Sequence, residues 1–193
     1  MSAVSRWTSP AVFLDRDGCL IEDVGYVRNP SDVVFFDNTV EALALLAAKF
    51  RLFIVTNQSG VAEGVITRAE VDKVHEFILG HLGQFGIHIS RVYFCPHKRS
   101  DGCRCIKPNP FFLEAAALRY GVDLSRSFVV GDHPHDMELA HNAGARGVYV
   151  LTGHGEKDRA ALHTPCGIAK DIREAAEMIM QAQEEGPEAG RDS

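Results

Sequence analysis

The sequence predicts an α/β fold, a three-layer sandwich whose central parallel sheet is covered by helices on both faces. Short apolar runs recur along the chain with helical stretches between them, the alternation of a parallel sheet rather than of hairpins. The runs are continuous and rich in β-branched and aromatic residues, as in Leu52-Phe53-Ile54-Val55, so the strands they form have no wet side. With 193 residues, 46% of them hydrophobic and 24% charged, the chain can bury a sizeable core in one domain.

The elements follow in order. Ala11 to Leu14 forms the first strand, and Asn38 and Thr39 open a helix whose Val40, Leu43 and Ala47 share a face. Leu52 to Val55 is the second strand. Thr67-Arg68-Ala69-Glu70 is a capping box that starts a helix through Val71, Val74, Ile78 and Leu82. Val92 to Phe94 is the third strand, and Pro110 sits in the first turn of a helix that runs to about Tyr120 and stops at Gly121. After the fourth strand, Phe128 to Val130, a helix near Met137 ends at Gly144, and Val148 to Leu151 is the fifth strand. Asp171 caps a last helix through Met178 and Ile179. Residues 1–183 are expected to form one domain, and 184–193, acidic and nearly free of apolar residues, a disordered tail.

The formal charge of -6 argues against nucleic acid or an anionic membrane as the main partner. No apolar run is long enough to span a bilayer, and Met1 to Pro10 lacks the apolar core of a secretory signal, so a cytoplasmic address is expected. Three of five cysteines crowd into Cys95, Cys103 and Cys105, a pattern of thiolates around a metal in a reducing compartment.

Ligands of open parallel sheets bind beyond the carboxyl ends of the strands. Asp15 and Asp17 follow the first run; Thr56, Asn57, Gln58 and Ser59 follow the second; Gly131, Asp132 and Asp136 follow the fourth; and Lys107 precedes the Pro110 helix. Residues i and i+2 of an extended segment point to one side, so Asp15 and Asp17 can converge, one attacking phosphorus and the other moving the proton of the leaving oxygen. Carboxylates so close need a hard cation, and Mg²⁺ suits them and phosphate oxygens alike. Asp132 would complete the Mg²⁺ shell with Asp15 and Asp17, the latter through its backbone carbonyl. Asp136, one turn on, is expected outside that shell, orienting a bound water or Lys107. Thr56, Asn57 and the N–H groups near them suit phosphoryl oxygens, and Lys107 adds a positive charge. Each residue taken alone also fits a turn, a helix cap or a solvated surface group.

Cys95-Pro96-His97 followed by Cys103-Arg104-Cys105 offers three thiolates and an imidazole, the ligand set of a closed, structural zinc site. Lys107 lies two residues beyond Cys105, so the metal would steady the loop that delivers it.

Together, Asp15-Arg16-Asp17-Gly18, Thr56-Asn57-Gln58-Ser59-Gly60, Lys107-Pro108 and Gly131-Asp132 with Asp136 resemble the four motifs of the haloacid dehalogenase superfamily in its phosphatase branch. The resemblance implies a Rossmann-like sandwich, Mg²⁺ dependence and an aspartyl-phosphate, with Asp15 as nucleophile, Asp17 as general acid and then base, and Thr56 and Lys107 as phosphate-binding catalytic groups. The cysteine loop and Gly25-Tyr26-Val27 resemble the D-glycero-D-manno-heptose 1,7-bisphosphate 7-phosphatases and the related histidinol-phosphate phosphatases, which act without a large cap domain. This implies that Asp23, Val24, Gly25 and Tyr26 with Thr56, Asn57, Gln58, Ser59 and Lys107 hold a small phosphorylated metabolite, the heptose bisphosphate losing its 7-phosphate; the chain is expected to be a monomer. Alternatives are histidinol phosphate, a 3'-phosphate on DNA, or phosphate binding without turnover. The chain departs from the heptose enzymes at Ile106, where they carry arginine, and at His133, where lysine is common; Arg28, Arg99 and Arg104 are candidates to replace the lost guanidinium.

Overall fold

In a computed structural model, which describes residues 8–184, six parallel strands form one sheet. They are β1 (Ala11–Leu14), β2 (Arg51–Asn57), β3 (Ile89–Cys95), β4 (Phe128–Gly131), β5 (Arg146–Val150) and β6 (Gly167–Ala169), in spatial order β3-β2-β1-β4-β5-β6. The helices are α1 (Thr39–Ala47), α2 (Arg68–Gln84), α3 (Phe111–Tyr120), α4 (Pro134–Asn142), a single turn α5 (Gly155–Asp158), and α6 (Ile172–Glu184). The tail expected over 184–193 lies, beyond Glu184, outside the described residues. Among the described residues no helix is long and apolar enough to cross a membrane.

Alternation along the strands builds the two covered faces. Val12, Leu14, Leu52, Ile54, Phe128 and Val130 point toward α1, α2 and α6, while Ala11, Phe13, Phe53, Val55 and Val129 pack with Leu113 and Ala116 of α3 and Leu139 and Ala140 of α4. On the second face Phe53 stacks between Phe13, at 5.1 Å, and Tyr93, at 6.2 Å. The expected helix signals are present as bonds. Glu70 N donates to Thr67 Oγ1 at 3.2 Å, Thr67 N donates to Glu70 Oε2 at 2.6 Å, and Glu174 N donates to Asp171 Oδ1 at 2.9 Å. Gly121 ends α3 in the left-handed conformation, φ 65°. Two elements have no counterpart in the sequence reading, β6 and α5, because three or four residues of mixed polarity carry no period.

Sequence order runs outward from β1 to β2 and β3 and then returns to β4 on the other side of β1. The carboxyl ends of β1 and β4 therefore flank the reversal point, where a crevice opens. Residues 15–38, between β1 and α1, fold over this end of the sheet. They pack Leu20, Ile21 and Val27 into the same core as α1 and α2, so this excursion is no separate cap.

Candidate active site

Asp15 is the first residue past β1, and its backbone N donates to Val130 O of β4 at 2.8 Å, which holds it at the reversal point. Its Oδ1 accepts from its neighbour's N–H, Arg16 N, at 2.7 Å and from Lys107 Nζ at 2.9 Å. Lys107 Nζ also donates to Asp136 Oδ1 at 2.7 Å, so one buried ammonium bridges two buried carboxylates. Burial, with Asp136 and Asp132 nearby, pushes the Asp15 carboxyl up to about 7 even though Lys107 pulls the other way. Burial acts on Lys107 in the opposite sense, but Asp136 and Asp15 outweigh it and keep the lysine charged, well above its ordinary value.

Asp132 follows β4 and is fully buried. Its Oδ2 accepts from His154 N at 2.8 Å and its Oδ1 meets His133 Nδ1 at 3.0 Å. That bond to Asp132, with the surrounding carboxylates and against burial, raises His133 to about 9, so position 133 carries positive charge at neutral pH. Two glycines let the chain close around Asp132. A Cβ would come within 2.1 Å of its Oδ2 if placed on Gly18, φ 76°, and within 2.3 Å if placed on Gly153. Gly131 does the same for Asp136, whose carboxylate a Cβ there would meet at 2.3 Å.

Asp17 lines the same cleft as Asp15, but its carboxylate turns to other partners. Arg16 Nη2 donates to its Oδ1 at 2.9 Å and Arg16 Nε to its Oδ2 at 3.0 Å; Gln58 Nε2 reaches Oδ2 at 2.9 Å and Thr56 Oγ1 lies 3.4 Å from it. Gln58 Nε2 also donates to Thr56 Oγ1 at 2.9 Å, which fixes both residues of the β2 end. Arg16 is fully buried, and its Nη1 sits 3.2 Å from His75 Nε2. Burial and then the Arg16 charge drive His75 down to about 3, so the imidazole is neutral and its Nε2 accepts from the guanidinium.

The cleft holds about 330 Å³ and is lined by Asp15, Asp17, Asp23, Gly25, Tyr26, Thr56, Asn57, Gln58, Ser59 and Lys107, with Arg99, His133 and His135. Every substrate residue expected from the sequence is there except Val24, which is 56% exposed and points away, because Gly25 N donates to Asp23 Oδ1 and turns the chain around it. Tyr26 is tied across the mouth by its hydroxyl, which donates to Glu63 Oε2 at 2.6 Å.

Ligand atoms of Asp15, Asp132, Asp136 and His133 come within 4.8 Å of one another, three carboxylates and one imidazole at the floor of the crevice. Asp15 and Asp132 fit a hard divalent cation: both are buried, and burial, with Asp136 and Asp132 adding to it, raises Asp15 despite Lys107. The carboxylate of Asp17 belongs to Arg16 and is not part of this group.

The cysteine loop forms a second cluster. Cys95 Sγ lies 3.6 Å from His97 Nδ1, 3.5 Å from Cys103 Sγ and 3.2 Å from Cys105 Sγ; His97 Nδ1 lies 3.3 Å and Cys103 Sγ 3.7 Å from Cys105 Sγ. A tetrahedral zinc with Zn–S bonds of about 2.3 Å has sulfur-to-sulfur edges of about 3.8 Å, so the four atoms nearly outline one. The cluster is bonded into the cleft. Cys95 O accepts from Gln58 N at 2.7 Å, and Lys107 N donates to Asn57 Oδ1 at 3.1 Å.

Sequence reasoning gives no place in the site to Arg16, His75 or His154; of the three arginines it offered for the lost guanidinium, Arg99 is the one in the cleft lining. His154 stands just past β5, so the strand-end rule that found Asp132 also reaches it. Arg16, inside Asp15-Arg16-Asp17, gives no sign in the sequence that it is buried.

A parallel sheet that gathers a buried Asp-Lys-Asp chain and a further aspartate at its reversal point is the core of a haloacid dehalogenase-like hydrolase. A family model described as HAD-hydrolase-like matches residues 104–175. The chain is 34% identical over 174 residues to D-glycero-beta-D-manno-heptose-1,7-bisphosphate 7-phosphatase of Bordetella bronchiseptica, covering 88% of this chain and 97% of that protein. It is 36% identical over 154 residues to the protein of the same name from Escherichia coli K12, covering 75% and 80%. A crystal structure of the B. bronchiseptica D,D-heptose 1,7-bisphosphate phosphatase, complexed with magnesium and phosphate, superposes with a TM-score of 0.84 at 33% identity over 90% of this chain and 99% of that one. The Burkholderia thailandensis D,D-heptose 1,7-bisphosphate phosphatase gives 0.69 at 27% identity over 89% and 99%. The chain is a phosphatase and belongs to the family of these heptose-bisphosphate phosphatases within the haloacid dehalogenase-like hydrolases.

Proposed function

We propose that this phosphatase removes the 7-phosphate of D-glycero-D-manno-heptose 1,7-bisphosphate through an aspartyl-phosphate on Asp15. The observation that carries the reading is the buried Asp15–Lys107–Asp136 chain at the reversal point, with Asp17 on the same cleft. An Asp15 carboxylate oxygen attacks phosphorus, the bond to the sugar oxygen breaks, and Asp17 gives that oxygen its proton. A water then attacks the aspartyl-phosphate, Asp17 takes the water's proton, and phosphate leaves with Asp15 restored. Lys107, the Thr56 hydroxyl and Asn57 hold the phosphoryl oxygens, and Asp136 keeps Lys107 aimed. Mg²⁺ held by Asp15, Asp132 and the Asp17 backbone carbonyl would offset the negative charge that Asp15 meets at the phosphate. Zinc at Cys95, His97, Cys103 and Cys105 is structural and steadies the loop before Lys107. Residues 1–183 act as a single domain, in the cytoplasm and as a monomer, without nucleic acid or membrane.

The names of the relatives support heptose bisphosphate over histidinol phosphate. The test is Mg²⁺-dependent phosphate release from heptose 1,7-bisphosphate, fructose 1,6-bisphosphate, histidinol phosphate and a 3'-phosphorylated oligonucleotide, by the parent and by Asp15→Asn. The heptose substrate is expected to lead, and Asp15→Asn to fold normally with turnover down by at least about 10³-fold. Parent-like turnover by that variant removes Asp15 as nucleophile.

A further inference from the structure

Arg99 sits in the short turn Arg99–Asp101 between the two ligand pairs of the Cys/His cluster, lines the cleft with Lys107, and donates from Nη2 to the Lys107 carbonyl at 3.3 Å. That bond uses one of five guanidinium donors, and the side chain is otherwise exposed. The nearby carboxylates are already engaged: Asp15 and Asp136 by Lys107, Asp17 by Arg16, Asp132 by His133 and Asp23 by His154. Among the described residues Arg99 has no carboxylate partner. The other candidates drop out. Arg104 lies over the Phe111 ring at 4.9 Å, away from the cleft, Arg28 is not part of the lining, and Ile106 is buried.

We infer that Arg99 binds the second, non-reacting phosphate of a bisphosphorylated substrate whose first phosphate sits at Asp15. The inference rests on the phosphatase reading above and assigns its specificity to a residue of the cysteine loop. Lys107 is committed to two carboxylates and the reacting group and His133 to Asp132, so a second phosphate needs another cation, and a guanidinium fork offers it two parallel donors. The turn is set before substrate arrives, because Lys98 N donates to Asp101 Oδ2 at 2.9 Å and the ligand pairs fix both ends, so little ordering remains to oppose binding.

The experiment compares heptose 1,7-bisphosphate with heptose 7-phosphate on the parent, Arg99→Ala and Arg99→Lys, all in Mg²⁺. The parent is expected to prefer the bisphosphate in kcat/KM. Arg99→Ala should reduce that preference by about 10- to 100-fold, carried by KM rather than kcat, and Arg99→Lys should recover part of it. A preference that survives in Arg99→Ala overturns the role of Arg99. An equal fall on both substrates, carried by kcat, also overturns it and assigns Arg99 to holding the Lys107 loop. A parent that cleaves both substrates equally well overturns the subsite and leaves the phosphatase reading standing. A parent that cleaves neither sinks the heptose reading with it.

Discussion

Gly18→Ala tests whether Asp132 must sit where it does. A Cβ on Gly18 would lie 2.1 Å from Asp132 Oδ2 and 2.6 Å from its Cγ. Relief to ordinary contact needs Asp132 to retreat by about 1 Å, a displacement that costs an active site about 10²-fold in rate. The substitution also carries a backbone cost, since φ at Gly18 is 76°, of about 1–2 kcal/mol. Gly144→Ala separates the two effects. Gly144 has φ 70° and nothing within 4 Å of its built Cβ, and it lies between α4 and β5 away from the cleft. Both variants should lose stability in urea melts, Gly18→Ala more because it also displaces buried Asp132. Only Gly18→Ala should lose about 10²-fold in kcat/KM and need more Mg²⁺ for half-maximal rate. If both variants keep the parent's rate and Mg²⁺ requirement, the placement of Asp132 in the metal site is wrong.

His75 makes the fold acid-sensitive. Its folded value of about 3 lies below the ordinary 6.5, so between these pH values the unfolded chain binds a proton that the folded chain refuses, and stability falls as pH drops below 6.5. The loss is about 2 kcal/mol at pH 5, and His75→Gln, which keeps an acceptor for Arg16, should remove it. The urea midpoints of parent and variant at pH 7.5 and pH 5 decide, and an equal loss in both rejects the idea. Elemental analysis should find one zinc per chain. Cys105→Ser should lose it, raise amide exchange across 95–107, and lower kcat by about 10-fold or more. Full activity without zinc would end the support role given to that cluster.

The sequence was legible where its period is long or its chemistry strict. The five apolar runs became β1 to β5 because buried parallel strands need continuous apolar residues, and Thr67-Arg68-Ala69-Glu70 opened α2 because its capping box is local. Strand-end logic puts Asp15, Asp17, Thr56 and Asp132 at one end of the sheet, Lys107 joins them from the start of the Pro110 helix, and the structure brings them together. What stayed hidden depends on tertiary approach. Asp17 leaves the extended path after Leu14, so the i, i+2 argument puts it on the right cleft but not against Arg16. Val24 turns outward through an Asp23 bond, and the burial of Arg16 beside a neutral His75 is set by α2, far along the chain.

The cysteine loop divides fixed from variable positions. The Cys/His cluster and the Asn57 contact bracket the lysine, while residues 98–102 reach it through one bond, from Arg99 Nη2 to its carbonyl. With Arg99 on the second phosphate as inferred, exchanging that turn would change which molecules are admitted while the Asp15–Lys107–Asp136 chain keeps its own bonds.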